Sequence, residues 1–202
     1  MGKETAKMYF PFDAAKRVRM LVLDVDGVLS DGRVILLNSG EEAKSFNVRD
    51  GHGIKMLQRS GIEVALLTGR KANIVNHRAK ELGICHVIQG SLNKDEGMAR
   101  LCEQVKVSRD CCAYMGDDVV DLPAMQGCAL SAAPADAHIG VRHRVTWVSS
   151  TAGGHGAVRE LAEGLILAQG NWKKIITARY GLTAIESGWS INELASLLDG
   201  EK

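Results

Sequence analysis

One rhythm constrains this chain more than any other feature: a short unbroken apolar run, a polar cluster, then a helical pattern, several times over. The runs are LVLD, IEVALLT, ICHVIQ, CCAYMGDD and CALS; the helical stretches are RDGHGIKMLQRSG, KANIVNHRAKELG, NKDEGMARLCEQVKV and VVDLPAMQG. Continuous apolar runs suit strands buried on both faces, as parallel sheets require, whereas a strand with one wet face alternates. Strands alternating with helices of this length predict an α/β fold, a doubly wound, mostly parallel sheet with right-handed crossovers. Gly61 and Gly83 close two of the helices, and Asn93 stands where a third needs its N-cap.

Ligands in such sheets bind in the crevice beyond the carboxyl ends of the strands. That edge is expected to collect Asp24 with Asp26, Thr68 with Gly69, and Asp117 with Asp118, while Lys94 opens the helix after a fourth strand. Two acids one residue apart point to opposite faces of an extended strand, so Asp24 and Asp26 share a site only where the chain turns, which Gly27 permits. Read alone, the doublet has two meanings: a reaction centre, or a loop cap that bonds backbone N–H groups. Asp121, just before Leu122 and Pro123, is likewise open to reading as an N-cap, and Lys94 to reading as a solvated lysine.

Between these strands the segment after Asp26 predicts a small β-hairpin flap, Val34 to Leu37, a turn at Asn38 to Gly40, then Ala43 to Val48. Beyond Ala132 a helical turn over Pro134 to Val141, a last strand over Arg144 to Val148 and a helix over Ala157 to Gln169 are expected, with INELASLL as an amphipathic helix after Ser190. We expect one main domain over residues 1–170 and a C-terminal extension over 171–202. Lys plus Arg (25) nearly cancels Asp plus Glu (24) without any block of like charge, which argues against a nucleic-acid partner. Five cysteines, odd in number and without a CxxC, argue against a disulfide framework or a zinc site and for a reducing compartment. With no apolar signal region and no run of spanning length, no membrane association and a cytoplasmic location are expected.

In order, Asp24-Val25-Asp26-Gly27-Val28, Thr68, Lys94 and GDDVVD (Gly116 to Asp121) resemble the four motifs of the haloacid dehalogenase superfamily of phosphotransferases. The resemblance implies that Asp24 is the nucleophile forming an aspartyl-phosphate and that Asp26 is the acid and then the base. Thr68, Gly69 and Lys94 would bind the phosphoryl group. It also implies Mg2+, held by Asp24, Asp117 and the backbone carbonyl of Asp26, with Asp118 and Asp121 behind them. Electrostatics demands such a cation, because each carboxylate facing a phosphate costs ~4 kcal/mol at an effective dielectric of about 20.

The 41 residues between Asp26 and Thr68 and the 22 between Lys94 and Asp117 leave no room for a cap domain. Further stretches, DVDGVLSDG, FNVRDGHGIKML, GIEVALLTGR, GDDVVDLPAM and GGHGAVRELAEGLILAQG, are similar to the 3-deoxy-D-manno-octulosonate 8-phosphate phosphatases. That family implies hydrolysis of a sugar acid phosphate in lipopolysaccharide biosynthesis, and a homotetramer joined through the flap hairpins. It further implies Arg70 and Arg78 near the substrate, although either is equally readable as a solvated helix residue. His52 and His155 depart from the family pattern. Two alternatives stand beside this reading: a phosphatase for a nine-carbon, sialic-type acid 9-phosphate, and a phosphoacceptor or scaffold domain without turnover.

Overall fold

A computed structural model of the chain describes residues 9–190 and 192–194. Six parallel strands form its centre: β1 (Met20–Leu23), β4 (Glu63–Thr68), β5 (His86–Gln89), β6 (Cys112–Met115), β7 (Leu130–Ala133) and β8 (Trp147–Val148). They lie in the order β5-β4-β1-β6-β7-β8, so the sheet grows outward in both directions from β1. The remaining strands, β2 (Ile35–Leu36) and β3 (Glu42–Ala43), pair antiparallel as the flap. The doubly wound architecture is therefore the one its rhythm predicts.

Helices α1 (Phe12–Ala15), α2 (Val48–Arg59), α3 (Asn73–Leu82) and α7 (Ala157–Ala168) contribute to one core; α4 (Lys94–Val105), α5 (Leu122–Met125) and α6 (Ile139–Arg142) contribute to the other. The strand β1 shows why there are two. Leu21 and Leu23 join Ile54, Leu57, Leu161 and Leu165 on one side, while Met20 and Val22 join Met98, Leu101 and Tyr114 on the other. Successive side chains of a strand point to opposite faces, so only a run with no polar residue can satisfy both layers.

Several boundaries differ from expectation. The second flap strand ends at Ala43, and α2 begins at Val48, because the Asn47 side chain accepts from Arg49 N at 2.8 Å and caps the helix. The last strand is two residues long, and β7 begins at Leu130, where pairing to Ala113 fixes its register. The predicted caps Asn93 and Ser190 are in place: Asn93 Oδ1 accepts from Glu96 N, and Ser190 Oγ from Glu193 N, each at 3.3 Å. Of INELASLL, Asn192 to Leu194 are helical, and the rest lies outside the described residues.

The described residues after 170 pack on the core that holds α2 and α7. A π-helical turn, Lys173–Thr177, runs into α8 (Ala178–Tyr180), burying Trp172, Ile175 and Ile176, while Trp189 meets Phe10 with ring centroids 5.6 Å apart. Among the described residues, no helix is long and apolar enough to cross a membrane.

Candidate active site

Parallel register makes the site. Leu23 pairs with Leu66 on one side and Met115 on the other, so the chain leaves β1 and β6 at one level and β4 two residues further on, after Thr68. Asp24, its N–H bonded to Met115 O at 3.0 Å, is the first residue past β1 and is 7% exposed. Gly27 then turns with φ +87°, and a β-carbon there would lie 2.1 Å from Asp117 Oδ2, so only glycine lets the two loops meet. Gly153 closes against the same turn, where a β-carbon would lie 1.8 Å from Gly27 O.

Lys94, the first residue of α4, reaches across the sheet edge. Its Nζ lies 2.8 Å from Asp24 Oδ1 and 2.8 Å from Asp121 Oδ1, and donates to Leu67 O at 3.0 Å. Reading this lysine as solvated is therefore wrong: it is 4% exposed and paired with two acids. Burial opposes its charge, but Asp24 and Asp121 outweigh burial and hold its pKa above the usual lysine value. Burial also pushes Asp24 up to about 7, with Asp121 adding and Lys94 opposing. Asp117 is pushed up to about 7 by burial, Asp24 and Asp121.

One oxygen from each of Asp24, Asp117 and Asp121 lies within 4.8 Å of the others. Three carboxylates against one ammonium leave two negative charges uncompensated, which a single divalent cation would balance. Asp24 Oδ1, although close to Lys94, is buried without a properly directed hydrogen bond, an orphaned acceptor that fits a metal. Asp121 fits less well as a ligand. Its Oδ1 accepts from Lys94 and from Tyr114 at 2.8 Å, and its Oδ2 from the N–H groups of Asp117 and Asp118 at 3.2 and 3.3 Å. With both oxygens filled it braces the loop that carries Asp117. Asp118 caps the following turn, accepting from Val119 N at 2.7 Å.

Thr68 is buried at the end of β4, and its Oγ1 accepts from Arg70 N at 3.3 Å. Gly69 follows it in a bend; α3 starts only at Asn73, so the Gly69 N–H is not part of a helix terminus. Arg70 comes to the site, its Nε 4.0 Å from Asp26 Oδ2. Arg78 is engaged elsewhere: it donates to Asn47 O at 3.1 Å, pairs with Glu81 at 2.9 Å and lies over the Phe46 ring. His52 bonds Tyr180 Oη at 2.9 Å and the His155 ring bonds Gly153 O at 2.7 Å, so both are tied into packing contacts.

Sequence reasoning missed the flap's contribution. Lys44, its side chain buried, pairs directly with Asp26 Oδ1, and Glu42 pairs with Arg70. No motif marks either residue; only the return of the hairpin over the end of β1 brings them there. Tyr114 was also missed, although a lone tyrosine in a buried apolar strand needs a partner for its hydroxyl, and Asp121 is that partner.

The sequence matches the haloacid dehalogenase-like hydrolase family over residues 48–128. It is 48% identical over 174 residues to the 3-deoxy-D-manno-octulosonate 8-phosphate phosphatase of Escherichia coli (strain K12), covering 84% of this chain and 93% of that protein. The crystal structure of the Yersinia pestis phosphatase of the same name superposes with a TM-score of 0.79 at 42% identity, covering 80% of this chain and 88% of that one. The Moraxella catarrhalis phosphatase, crystallised with a magnesium ion, a phosphate ion and a KDO molecule, gives 0.80 at 38% identity, covering 83% and 96%.

Proposed function

The chain belongs to the 3-deoxy-D-manno-octulosonate 8-phosphate phosphatases, within the haloacid dehalogenase-like hydrolases, and from that premise we propose that it hydrolyses this ester to the free sugar acid and phosphate with Mg2+. It is a phosphomonoesterase. The observation that carries the reading is the meeting of Asp24, Lys94 and Asp117 at one level of the sheet edge, an anionic cluster short of cations.

In our reading Asp24, Asp117 and the Asp26 carbonyl would hold the magnesium, which would supply the positive charge a phosphate needs to approach these carboxylates. Asp24 attacks phosphorus in line, and Asp26 gives its proton to the departing alkoxide oxygen. Asp26 then takes a proton from water as that water attacks the aspartyl-phosphate, releasing phosphate and restoring Asp24. Thr68 Oγ1, the Gly69 N–H and Lys94 are assigned to the phosphoryl oxygens, and Arg70 to the sugar acid. Arg78, held by Asn47 and Glu81, we assign to the sugar end only through the flap it supports. Asp118 and Asp121 position the Asp117 loop. Asp26 separates this chemistry from phosphoacceptance without turnover.

We further propose a homotetramer joined through the flaps, supported by exposed Val34, Ile35, Leu36 and Leu37 on that hairpin, which water alone would cover unfavourably. A cytoplasmic site fits five free cysteines and the lipopolysaccharide pathway that the family serves. Residues 1–170 carry the reaction in this scheme, and 171–202 serve packing. The test is phosphate release with Mg2+ from three esters: the eight-carbon acid 8-phosphate, a nine-carbon sialic-type acid 9-phosphate, and mannose 6-phosphate. The eight-carbon ester should have the highest kcat/KM and EDTA should stop its hydrolysis; preference for either other ester overturns the assignment.

A further inference from the structure

The reaction above uses Asp26 and Arg70 but gives no task to Glu42, whose carboxylate stands between two cations. The four groups close a ring. Asp26 pairs with Lys44, Lys44 Nζ lies 3.8 Å from Glu42 Oε2, Glu42 Oε1 pairs with Arg70, and Arg70 Nε lies 4.0 Å from Asp26 Oδ2. Two acids and two bases leave it neutral. The ring is unevenly satisfied, because Glu42 Oε2 is buried and without a hydrogen-bond partner. A buried acceptor left unpaired is costly, so Glu42 is held there by charge rather than by a full set of donors. Its carrier is weakly anchored too: β3 pairs with β2 over two residue pairs only. The Glu42 side chain can therefore leave without dismantling the core.

Beside Glu42 opens a cavity of about 440 Å³, lined also by Leu37, Lys71, Asn73 and His77. Its size falls in the range of small-molecule sites, about 300–1,000 Å³. The Arg70 side chain is half exposed, so a ligand in solution can reach it.

We propose that Glu42 is a specificity-determining residue: its carboxylate occupies the anion position between Arg70 and Lys44 until the carboxylate of the substrate displaces it. This rests on reading the substrate as a sugar acid phosphate. Geometry demands exchange rather than addition, because the Glu42 carboxylate already stands between the Arg70 guanidinium and Lys44 Nζ, the two cations an incoming carboxylate would use. An ester without a carboxylate has nothing to offer in return, so Arg70 stays paired with Glu42. Selectivity then lies in the swap.

The experiment compares the native chain with Glu42→Gln, which keeps the shape and removes the charge. Two esters are used, 3-deoxy-D-manno-octulosonate 8-phosphate and mannose 6-phosphate, and binding of the free eight-carbon sugar acid is measured by calorimetry. Glu42→Gln should lower KM for the sugar acid ester by about threefold or more, keep KM for mannose 6-phosphate within about twofold, and tighten the free acid by about threefold. Glu42→Asp, too short to reach both cations, should move the same values less. A rise in KM for the sugar acid ester, an equal shift for both esters, or free-acid binding that does not tighten overturns the proposal. Failure of the native chain to turn over the eight-carbon ester would instead overturn the functional reading, and the calorimetry would still decide the exchange.

Discussion

Asp24 and Asp117 hold protons that exposed carboxyl groups would release, because burial and their acidic neighbours push each up to about 7. The sign for stability follows from proton counting. Between about pH 4 and the folded value near 7, the metal-free native state keeps protons that the unfolded chain has lost, so stability falls as pH rises through that window. Magnesium needs the ionised forms, so the gain in Tm on adding it should grow as pH rises through about 7. Asp24→Asn removes one of these protons and the nucleophile together while leaving the side chain's shape. We expect a folded variant without turnover, whose metal-free Tm depends less on pH than that of the native chain. Thermal melts in EDTA and in Mg2+ across this range, with a phosphate-release assay, check both parts; native turnover in Asp24→Asn would contradict the role of Asp24.

Elements joined by side chains distant in sequence are where reading the sequence stops. The strand ends at Asp24, Thr68 and Asp117 are legible because unbroken apolar runs lead into them, and Asn93 is legible because an N-cap lies beside the helix it serves. The start of α7 is not legible in this way. Gly156 has no side chain to cap it, and the cap comes from α2, where buried Asp50 accepts from Gly156 N at 3.2 Å and Arg159 N at 2.8 Å. Those partners are more than a hundred residues apart in sequence. The same distance problem hides Glu42 from Arg70, and it hides from Arg78 the Asn47 carbonyl and the Phe46 ring that its guanidinium touches. For α7 the consequence is measurable. Asp50→Ala leaves two backbone donors without their acceptor and removes a negative charge from a helix N-terminus, which should cost about 2–4 kcal/mol. Urea unfolding should show this as a lower midpoint, with Asp50→Asn losing less because its amide oxygen still accepts; an unchanged midpoint in Asp50→Ala would mean that solvent replaces the cap.

At the scale of the whole molecule the two ends of the described chain close on each other. Phe10 packs edge-on against Trp147 of β8 and against Trp189, Phe12 lies 6.1 Å from Trp189, and Gly164 of α7 has no room for a β-carbon because the Phe10 ring fills it. The described residues beyond 170 thus complete the core on the side of the sheet that holds α2 and α7, and α2 also carries the Asp50 cap. A lid over the site would be organised differently, with its apolar residues waiting for substrate rather than already buried. The two roles separate on one substitution. Trp189→Ala empties a large aromatic site at 8% exposure, and deleting a buried tryptophan costs about 3–5 kcal/mol. For a chain of this size that lowers Tm by about 10 °C. Because Trp189 belongs to packing, kcat/KM measured well below the new Tm should stay within about twofold of the native value. A collapse of kcat/KM with Tm unchanged would make the extension part of the catalytic apparatus instead.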